Sequence, residues 1–510
     1  MLAYLKRLAA TGAAYTASSV VAKLIAVALL PLYTRHLTRA DYGAAEVLLA
    51  TVVALSIVVR LGIIEALLRF YFQFEDRRER DDVVRTSFAF LLLTSSAGAI
   101  VAAAFAGPLS ELLLDRRDTE LMLIAVAGLW IFTNYELLMA LFRLDERARA
   151  YFTASLANVL ITVALTVWLV VLEDEGARGL LVGNFAGSAV ILVGLVFVHR
   201  RRLGIVPSPA LLRPMLRFGF PTMPAELSLY ALNFIDRIML VRFVGLAEAG
   251  LYSLAVKFSQ AVTVVVRAFN LAWPPLAYSI RDDEEAKRTY AFIVTYFLLL
   301  TAPIVLALSI EARWVARALA APEFFESYKA VPLVSTGVTL YALFLVLVVV
   351  VGRVGRTEYN FPVTATAAGV NVGLNLALVP PYGLVGAGIA LVGSYLVMLT
   401  LMYFVTRRFF PVPFQWGRMA RIVLIAGALF AAGEVLLPTS GVEGFLSRAA
   451  VVLLFLPLLY ASGFFEADEL SYLRSLRDRV RSKLESSAEP SEDLEALQRR
   501  AELMEDMHEP

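Results

Sequence analysis

Residues 35–60 read RHLTRADYGAAEVLLATVVALSIVVR, and residues 242–267 read RFVGLAEAGLYSLAVKFSQAVTVVVR. Four positions of the first stretch return about 207 residues later: Arg35, Asp41, Gly43 and Arg60 recur as Arg242, Glu248, Gly250 and Arg267. Nearly all residues between these markers are hydrophobic. This pattern indicates a duplicated unit of several membrane helices, an architecture in which one half of a transporter rocks against the other.

The composition is that of a polytopic membrane protein. Hydrophobic residues make up 59% of the 510 residues and charged residues only 18%, a larger apolar share than a water-soluble core needs. A net charge of +2 gives no basic surface for nucleic acid, so we expect no nucleic-acid partner. The chain has no cysteine and only three widely separated histidines. We therefore predict neither a metal site nor a cofactor.

Apolar runs long enough to cross a membrane, about 20 residues each, occur about fourteen times along the chain. The sequence therefore predicts an all-α integral membrane protein with about 14 transmembrane helices. The duplication divides them into two pseudo-symmetric six-helix lobes and two additional helices. The predicted regions are residues 1–205 (first lobe), 206–410 (second lobe), 411–465 (two additional helices) and 466–510 (a cytoplasmic tail, amphipathic or disordered).

Lysine and arginine are distributed unevenly between alternate loops. One set of loops holds clusters such as Arg77, Arg78 and Arg80, whereas residues 380–383 of the opposite set hold none. Because basic loops stay on the cytoplasmic side, we expect both termini to be cytoplasmic, in the cytoplasmic membrane of a bacterium or an archaeon. The longest loop between spans has about 20 residues. That is too short for a separate catalytic domain, so an enzyme is not expected.

Polar and charged side chains enter several of the apolar spans. An ionised side chain at the bilayer centre costs at least about 2.5–3.5 kcal/mol, so we expect such residues to face a cavity or a partner. They are Lys23, Glu46, Arg60 and Glu65 in the first half, Glu226, Tyr230, Asn233, Asp236 and Arg237 on the seventh span, and Ser253, Lys257, Gln260 and Arg267 on one face of the eighth. The sequence therefore predicts cationic and polar surfaces inside the bundle.

Two interpretations of the arginines stay open. Arg60 and Arg267 either face a central cavity or snorkel to an interface and pair with Glu65 and Asp236. The amides Asn371 and Asn375 lie four residues apart beside glycines, a pattern typical of helix packing rather than of ligands. They are therefore not among the predicted site residues.

Two blocks of the chain resemble a known transporter family. The first is LLPLYTRHLTRADYG at residues 29–43, after Lys23-Leu24, and the second combines FGFP at 218–221, Asp236-Arg237 and AGLYSLAVK at 249–257. Both resemble Wzx-like polysaccharide and O-antigen flippases, the oligosaccharide exporter branch of the multidrug/oligosaccharidyl-lipid/polysaccharide (MOP) superfamily. MurJ and the MATE transporters are related to this branch. The resemblance covers about residues 10–465.

This resemblance implies a V-shaped bundle around a central cavity, and transport of undecaprenyl-pyrophosphate-linked oligosaccharides from the cytoplasmic to the outer leaflet by alternating access. A pyrophosphate that crosses hydrocarbon needs cations, and sugars need aromatic and amide groups. The candidates are Lys23, Arg60, Lys257 and Arg267 for the pyrophosphate, and Tyr230, Asn233 and Gln260 for the sugars. A proton or sodium gradient, or the membrane potential, is the expected energy source, with Glu65, Glu226 or Asp236 as the coupling carboxylate.

The expected partners are the lipid-linked oligosaccharide, membrane lipids, and a polysaccharide polymerase or glycosyltransferase. Two alternatives remain. A multidrug or ion antiporter of the same superfamily would share the fold, but should favour acidic cavity residues for cationic drugs. A non-transporting membrane scaffold on the same fold is the second alternative.

Overall fold

The computed structural model describes residues 21, 23–466 and 469, apart from the side chains of Asn233 and Leu271. The predicted tail beyond Glu469 lies outside the described residues, as do residues 1–20, which include the start of the predicted first span.

The described chain is built from α-helices joined by short loops, and no strand occurs among the described residues. The first half contains α1 (Leu30–His36), α2 (Arg39–Arg60), α3 (Ile63–Tyr71), α4 (Arg77–Ala104), α5 (Ala106–Leu114), α6 (Thr119–Leu144), α7 (Ala148–Val167) and α8 (Gly176–His199). A π-helical segment, Trp168–Leu172, extends α7, and residues 23–28 are helical before α1.

The second half follows the same plan. It contains α9 (Pro209–Gly219), α10 (Thr222–Phe243), α11 (Leu246–Phe258), α12 (Gln260–Ser279), α13 (Asp283–Ile310), α14 (Ala312–Leu319), α15 (Val331–Arg353) and α16 (Asn360–Phe409). Short 3₁₀ helices lie at Pro322–Lys329 and Thr357–Tyr359. The chain continues with α17 (Trp416–Leu436), α18 (Gly441–Leu453) and α19 (Phe455–Ala461).

Among the described residues, 10 helices are long and apolar enough to cross a membrane, or 11 if the bent pair α11 and α12 is one span. The helix α10 is 22 residues long but carries four charged side chains, Glu226, Asp236, Arg237 and Arg242. The prediction of an all-α, multi-pass membrane protein is confirmed. The number fourteen and the proposed region boundaries stay predictions.

The helix α16 is two antiparallel helices joined at Gly383. Its φ of 52° and ψ of −132° interrupt the helix, a left-handed conformation that favours glycine. Pro380 and Pro381 precede the turn. Across it, Asn371 Nδ2 donates to Ser394 Oγ at 3.3 Å, so the two arms pack side by side.

The repeated acidic position opens the matching helices α2 and α11. Asp41 lies in the first turn of α2, and Glu248 lies in the first turn of α11. A negative charge there interacts favourably with the positive end of the helix dipole. Thr38 caps α2, since its Oγ1 accepts from Asp41 N at 3.1 Å. The recurring acid is therefore a helix-start signal in both halves.

The repeated glycine brings the two halves together. A Cβ atom on Gly43 would lie 2.0 Å from the carbonyl oxygen of Leu246, and one on Gly250 would lie 2.3 Å from that of Arg39. Arg39 and Leu246 are equivalent positions of the repeat. The contact is therefore self-complementary, as a pseudo-twofold axis between α2 and α11 requires. Only glycine permits this approach of two backbones.

A second backbone contact joins the halves at the opposite end of α2. A Cβ atom on Gly62 would lie 2.0 Å from the carbonyl oxygen of Gly219, and one on Gly219 would lie 2.2 Å from that of Gly62. We call the two ends of the bundle the Gly43 end and the Gly62 end. The halves therefore touch at both ends of their interface, which we call the interlobe seam. It comprises the contact of α2 with α10 and α11, and the contact of Lys23 with Gln260 at the start of α12.

Candidate functional site

The predicted lysines lie at the interlobe seam. Lys257 on α11 forms an ion pair with Glu46 on α2, with Nζ and Oε1 3.1 Å apart. Lys23 Nζ donates to Gln260 Oε1, across 237 residues of sequence. The side chain of Lys257 is 32% exposed and that of Glu46 11%, so the pair is partly buried. The structure thus brings three predicted residues together and adds Glu46 to them.

Arg60 also bridges the two halves. Its Nη2 lies 2.8 Å from Glu226 Oε1 of α10, and the Arg60 side chain is only 12% exposed. Glu226, rather than Glu65, is therefore the ion-pair partner of Arg60 in this structure. Arg60 Nε is buried and has no hydrogen-bond partner among the described residues. Arg60 is thus fixed at the seam, and its Nε can still donate a hydrogen bond.

Arg267 lies on α12 with an exposed side chain. It is close enough to Lys23 to interact with it electrostatically, and also to Tyr151 and Tyr341. Lys257 acts on Lys23 in the same way. Three of the four predicted cations therefore share one region of positive potential.

A bend between α11 and α12 separates residues that the sequence predicts on one helix face. The sequence predicts a single straight face for Ser253, Lys257, Gln260 and Arg267, but the two helices meet at 47°. Ser259 lies at the bend, and its Oγ donates to the carbonyl oxygen of Ala255 at 3.0 Å, a bond that bends helices. Lys257 and Gln260 consequently meet different partners, Glu46 and Lys23.

The polar face of α10 is directed at the seam. Tyr230 OH donates to the carbonyl oxygen of Ala50 at 3.0 Å, and Arg237 Nε donates to Ser253 Oγ at 3.0 Å. The Tyr230 hydroxyl is therefore engaged by the α2 backbone in this conformation. The side chain of Asn233 is not described, so its role at the site stays a prediction.

Asp236 forms a separate polar centre inside the second half. Only 1% of it is exposed, and its Oδ1 accepts from Asn371 Nδ2 at 3.0 Å and Asn375 Nδ2 at 2.8 Å. Its Oδ2 accepts from Tyr252 OH at 2.9 Å. Both asparagines are fully buried and hydrogen-bond Asp236 across the interface of α10 and α16, which agrees with their interpretation as helix-packing residues. That they hold a buried carboxylate was not predicted. Their spacing on one helical face was the available signal.

Glu65 lies in the first turn of α3, near the Gly62 end. Its Oε2 is buried without a hydrogen-bond partner among the described residues. It interacts electrostatically with Glu226, so two of the three predicted coupling carboxylates lie near the seam, and Asp236 lies apart from it. Within the described ranges, no group of three histidine, cysteine or acidic residues could hold a metal ion.

The sequence matches a known protein family. The family described as "Polysaccharide biosynthesis protein" matches residues 8–281, more than half of the chain. The succinoglycan biosynthesis transport protein ExoT of Rhizobium meliloti (strain 1021) is 25% identical over 285 residues, which are 55% of this chain. The alignment spans only 56% of ExoT. An uncharacterized membrane protein, MJ1068 of Methanocaldococcus jannaschii, is 18% identical over 400 residues, 73% of this chain and 79% of that protein.

Solved structures share the fold. The lipid II flippase MurJ in an inward closed conformation aligns with a TM-score of 0.73 at 13% identity, over 89% of this chain and 98% of that one. An inward-facing MATE multidrug transporter of the MOP superfamily aligns at 0.63 and 16% identity, over 79% of this chain and 96% of that one. These structural relatives are transporters and flippases rather than enzymes. The chain therefore belongs to the polysaccharide biosynthesis protein family, with the fold of the MOP superfamily.

Proposed function

We propose that this protein is a flippase that moves an undecaprenyl-pyrophosphate-linked oligosaccharide from the cytoplasmic to the outer leaflet by alternating access. The observation that carries the proposal is the set of cations at the interlobe seam: Lys23, Arg60, Lys257 and Arg267. Two similar proteins support it: ExoT is a succinoglycan biosynthesis transport protein, and MurJ is a lipid II flippase.

The charges at the seam suit a pyrophosphate. Lys257 is paired with Glu46 and Arg60 with Glu226, so neither cation lacks a counter-charge in this conformation. A charge buried in a low-dielectric region is tolerated when it is paired. An incoming pyrophosphate offers more acceptor oxygens than one carboxylate, and it takes over the cations while the lipid chain stays in the bilayer. Gln260, Tyr230 and Asn233 then become available to the sugars.

Orientation and location belong to the proposal as well. The positive-inside rule places the Gly62 end, with Arg77, Arg78 and Arg80 beyond it, at the cytoplasm. Both termini then lie there, in the cytoplasmic membrane of a bacterium or archaeon. Substrate enters when the Gly62–Gly219 and Arg60–Glu226 contacts separate, and leaves when the Gly43–Gly250 contact separates. Glycosyltransferases and a polysaccharide polymerase are the proposed partners before and after this step.

A proton or sodium gradient is the proposed energy source, with Asp236 as the first candidate for the coupling carboxylate. Asp236 is buried among three side-chain donors, and Asn375 Oδ1 has no hydrogen-bond partner among the described residues. A carboxylate oxygen suits a hard cation such as Na⁺. A bound cation takes the place of the Asn371 and Asn375 amide donors, whose side chains then turn their oxygens toward it. Glu226 and Glu65 stay candidates, since both lie at the seam that must open.

The proposal is tested by the affinity of the purified full-length protein for polyprenyl pyrophosphate and for uncharged polyprenol. We expect the wild type to prefer the pyrophosphate, and the variant K257Q/R267Q to lose about tenfold or more in affinity for it, because charge-assisted hydrogen bonds contribute about 1.5–3 kcal/mol each. The matched control is K287Q, since Lys287 pairs with Glu284 within α13, away from the seam.

Two results would contradict the proposal. One is equal binding of pyrophosphate and alcohol by the wild type, which a scaffold without a substrate site would give. The other is unchanged pyrophosphate affinity in K257Q/R267Q while the variant keeps wild-type thermal stability. Tight binding of a cationic drug with no binding of the pyrophosphate would favour the multidrug alternative.

A further inference from the structure

A cavity of about 240 Å³ lies in the first half, beside the seam. We call it the first-half cavity. Its walls come from the helical turn around Ile25, from α1, α2, α7 and α8, and Lys257 reaches it from α11. The polar groups that line it include Tyr33, Glu46, Asn158, Thr162, Asn184 and Lys257. The cavity is therefore continuous with the proposed pyrophosphate site through Lys257.

The first-half cavity has little net charge to offer. Its cation, Lys257, and its carboxylate, Glu46, are paired at 3.1 Å and neutralise each other. The remaining polar residues of the lining are neutral, and their groups are amides and hydroxyls: Asn158, Asn184, Thr162, Thr166, Ser188, Tyr33 and Tyr42. Such a lining favours a neutral ligand rich in hydroxyl groups over a metal ion or a free anion.

Two atoms of the lining lack partners. Asn158 Oδ1 and Thr162 Oγ1 are buried, and neither has a hydrogen-bond partner among the described residues. Both are on α7, four residues apart, and so lie on the same face of the helix. Buried polar groups are rarely left unsatisfied unless a ligand or water completes them. An amide oxygen and a hydroxyl are the acceptors that sugar hydroxyls require.

We propose that the first-half cavity binds one neutral sugar ring of the lipid-linked substrate and thereby contributes to substrate selection. The inference rests on the proposed function, because Lys257 is shared with the pyrophosphate site. The volume is below the about 300–1,000 Å³ of pockets for drug-sized ligands, which suits a single ring rather than an oligosaccharide. Both oxygens are buried in this conformation, so Asn158 and Thr162 rotate toward the cavity to accept hydroxyl protons of this ring. The pyrophosphate lies on the far side of Lys257.

The test compares lipids that differ only in the sugar. The purified full-length protein is titrated with polyprenyl pyrophosphate carrying one glucose, one galactose or one N-acetylglucosamine, and with the same lipid without a sugar. We expect the wild type to bind at least one sugar-bearing lipid about tenfold more tightly than the bare lipid. N158L and T162V, which keep the side-chain size, are expected to lose most of this difference and to bind the bare lipid as the wild type does.

The matched control is T153V on the same helix, since Thr153 is exposed and its hydroxyl donates to the carbonyl oxygen of Arg149. Equal wild-type affinity for all four lipids would overturn the inference, and so would N158L and T162V proteins that still distinguish the sugars. These results leave the pyrophosphate proposal intact. A wild type that binds none of the four lipids would overturn the proposed function, and this inference with it.

Discussion

At the scale of single residues, the seam pairs cations with partners from the opposite half. Lys257 meets Glu46, Arg60 meets Glu226, and Lys23 meets Gln260. Each of these contacts must break or rearrange when the halves move apart. An ion pair in a poorly solvated site is expensive to break unless another charge replaces the partner. The arrangement therefore links opening of the seam to arrival of an anionic group.

The ion-coupling proposal is tested most directly by substitution of Asp236. We expect D236N to fold, since an amide oxygen accepts the Asn371 and Asn375 donors as the carboxylate does. The variant lacks the negative charge that binds Na⁺ or a proton. Added Na⁺ should raise the thermal unfolding midpoint of the wild type through binding to the folded state, and should leave D236N unchanged. A lower pH should raise the midpoint of the wild type by more than that of D236N, in which Glu311 still titrates.

The control for this prediction is E226Q, which removes a different candidate carboxylate. An ion response that survives in D236N and disappears in E226Q would move the coupling site to the seam. A wild type whose midpoint does not respond to Na⁺, and whose response to pH equals that of D236N and E226Q, would contradict the ion-coupling proposal.

At the scale of elements, α17 and α18 are anchored to the end of α13. Arg448 of α18 is fully buried, and its guanidinium donates to Glu434 Oε1 at 2.7 Å and to the carbonyl oxygen of Ile310 at 3.1 Å. Arg313 of α14 donates to the same Glu434 oxygen at 2.7 Å. One carboxylate thus joins three helices, and the additional helices are fixed to the second half.

Glu311, in the turn after α13, makes this junction sensitive to pH. Burial raises the pKa of Glu311 from 4.5 to about 7, although Arg448 opposes the shift, and both carboxylate oxygens lack hydrogen-bond partners among the described residues. The folded state therefore holds the proton more tightly than the unfolded state, and the free energy of unfolding falls as pH rises through this window. E311Q should unfold about 1–2 °C above the wild type at about pH 8.

The measurement is the thermal unfolding midpoint of both proteins between about pH 5 and about pH 8. The advantage of E311Q should shrink towards the acid end, where Glu311 is protonated in the folded protein. A constant difference across this range would show that the carboxylate does not titrate there.

Structural elements were predictable where the sequence signal lies within a few neighbouring residues. Hydropathy located α16 as two spans, because Pro380, Pro381 and Gly383 mark the turn within the chain. The bend at Ser259 was not predicted, since a serine inside an apolar run is an ambiguous signal. Glu226, the partner of Arg60, lies 166 residues away, and two of the three partners of Asp236 lie 135 and 139 residues away. A single sequence identifies the polar residues of a membrane span, but it does not show which helix packs against them.

At the scale of the whole molecule, the duplicated sequence becomes a self-complementary contact. Gly43 and Gly250 pack at one end of the seam, and Gly62 and Gly219 pack at the other. The proposed cations lie on helices of both halves, and two of them, Arg60 and Lys257, lie on helices α2 and α11, which make the first of these contacts. Rocking of one half on the other would open the two contacts in turn, which is the motion that alternating access requires.

The central claim is tested most directly by following a fluorescent polyprenyl-pyrophosphate-linked oligosaccharide between the leaflets of proteoliposomes that contain the full-length protein. Its accessibility to an external quencher reports transfer. We predict transfer by the wild type above the rate of protein-free liposomes, a rate about tenfold or more lower for K257Q/R267Q, and no change for K287Q. A wild-type rate equal to that of protein-free liposomes, or one that K257Q/R267Q does not lower, would contradict the account.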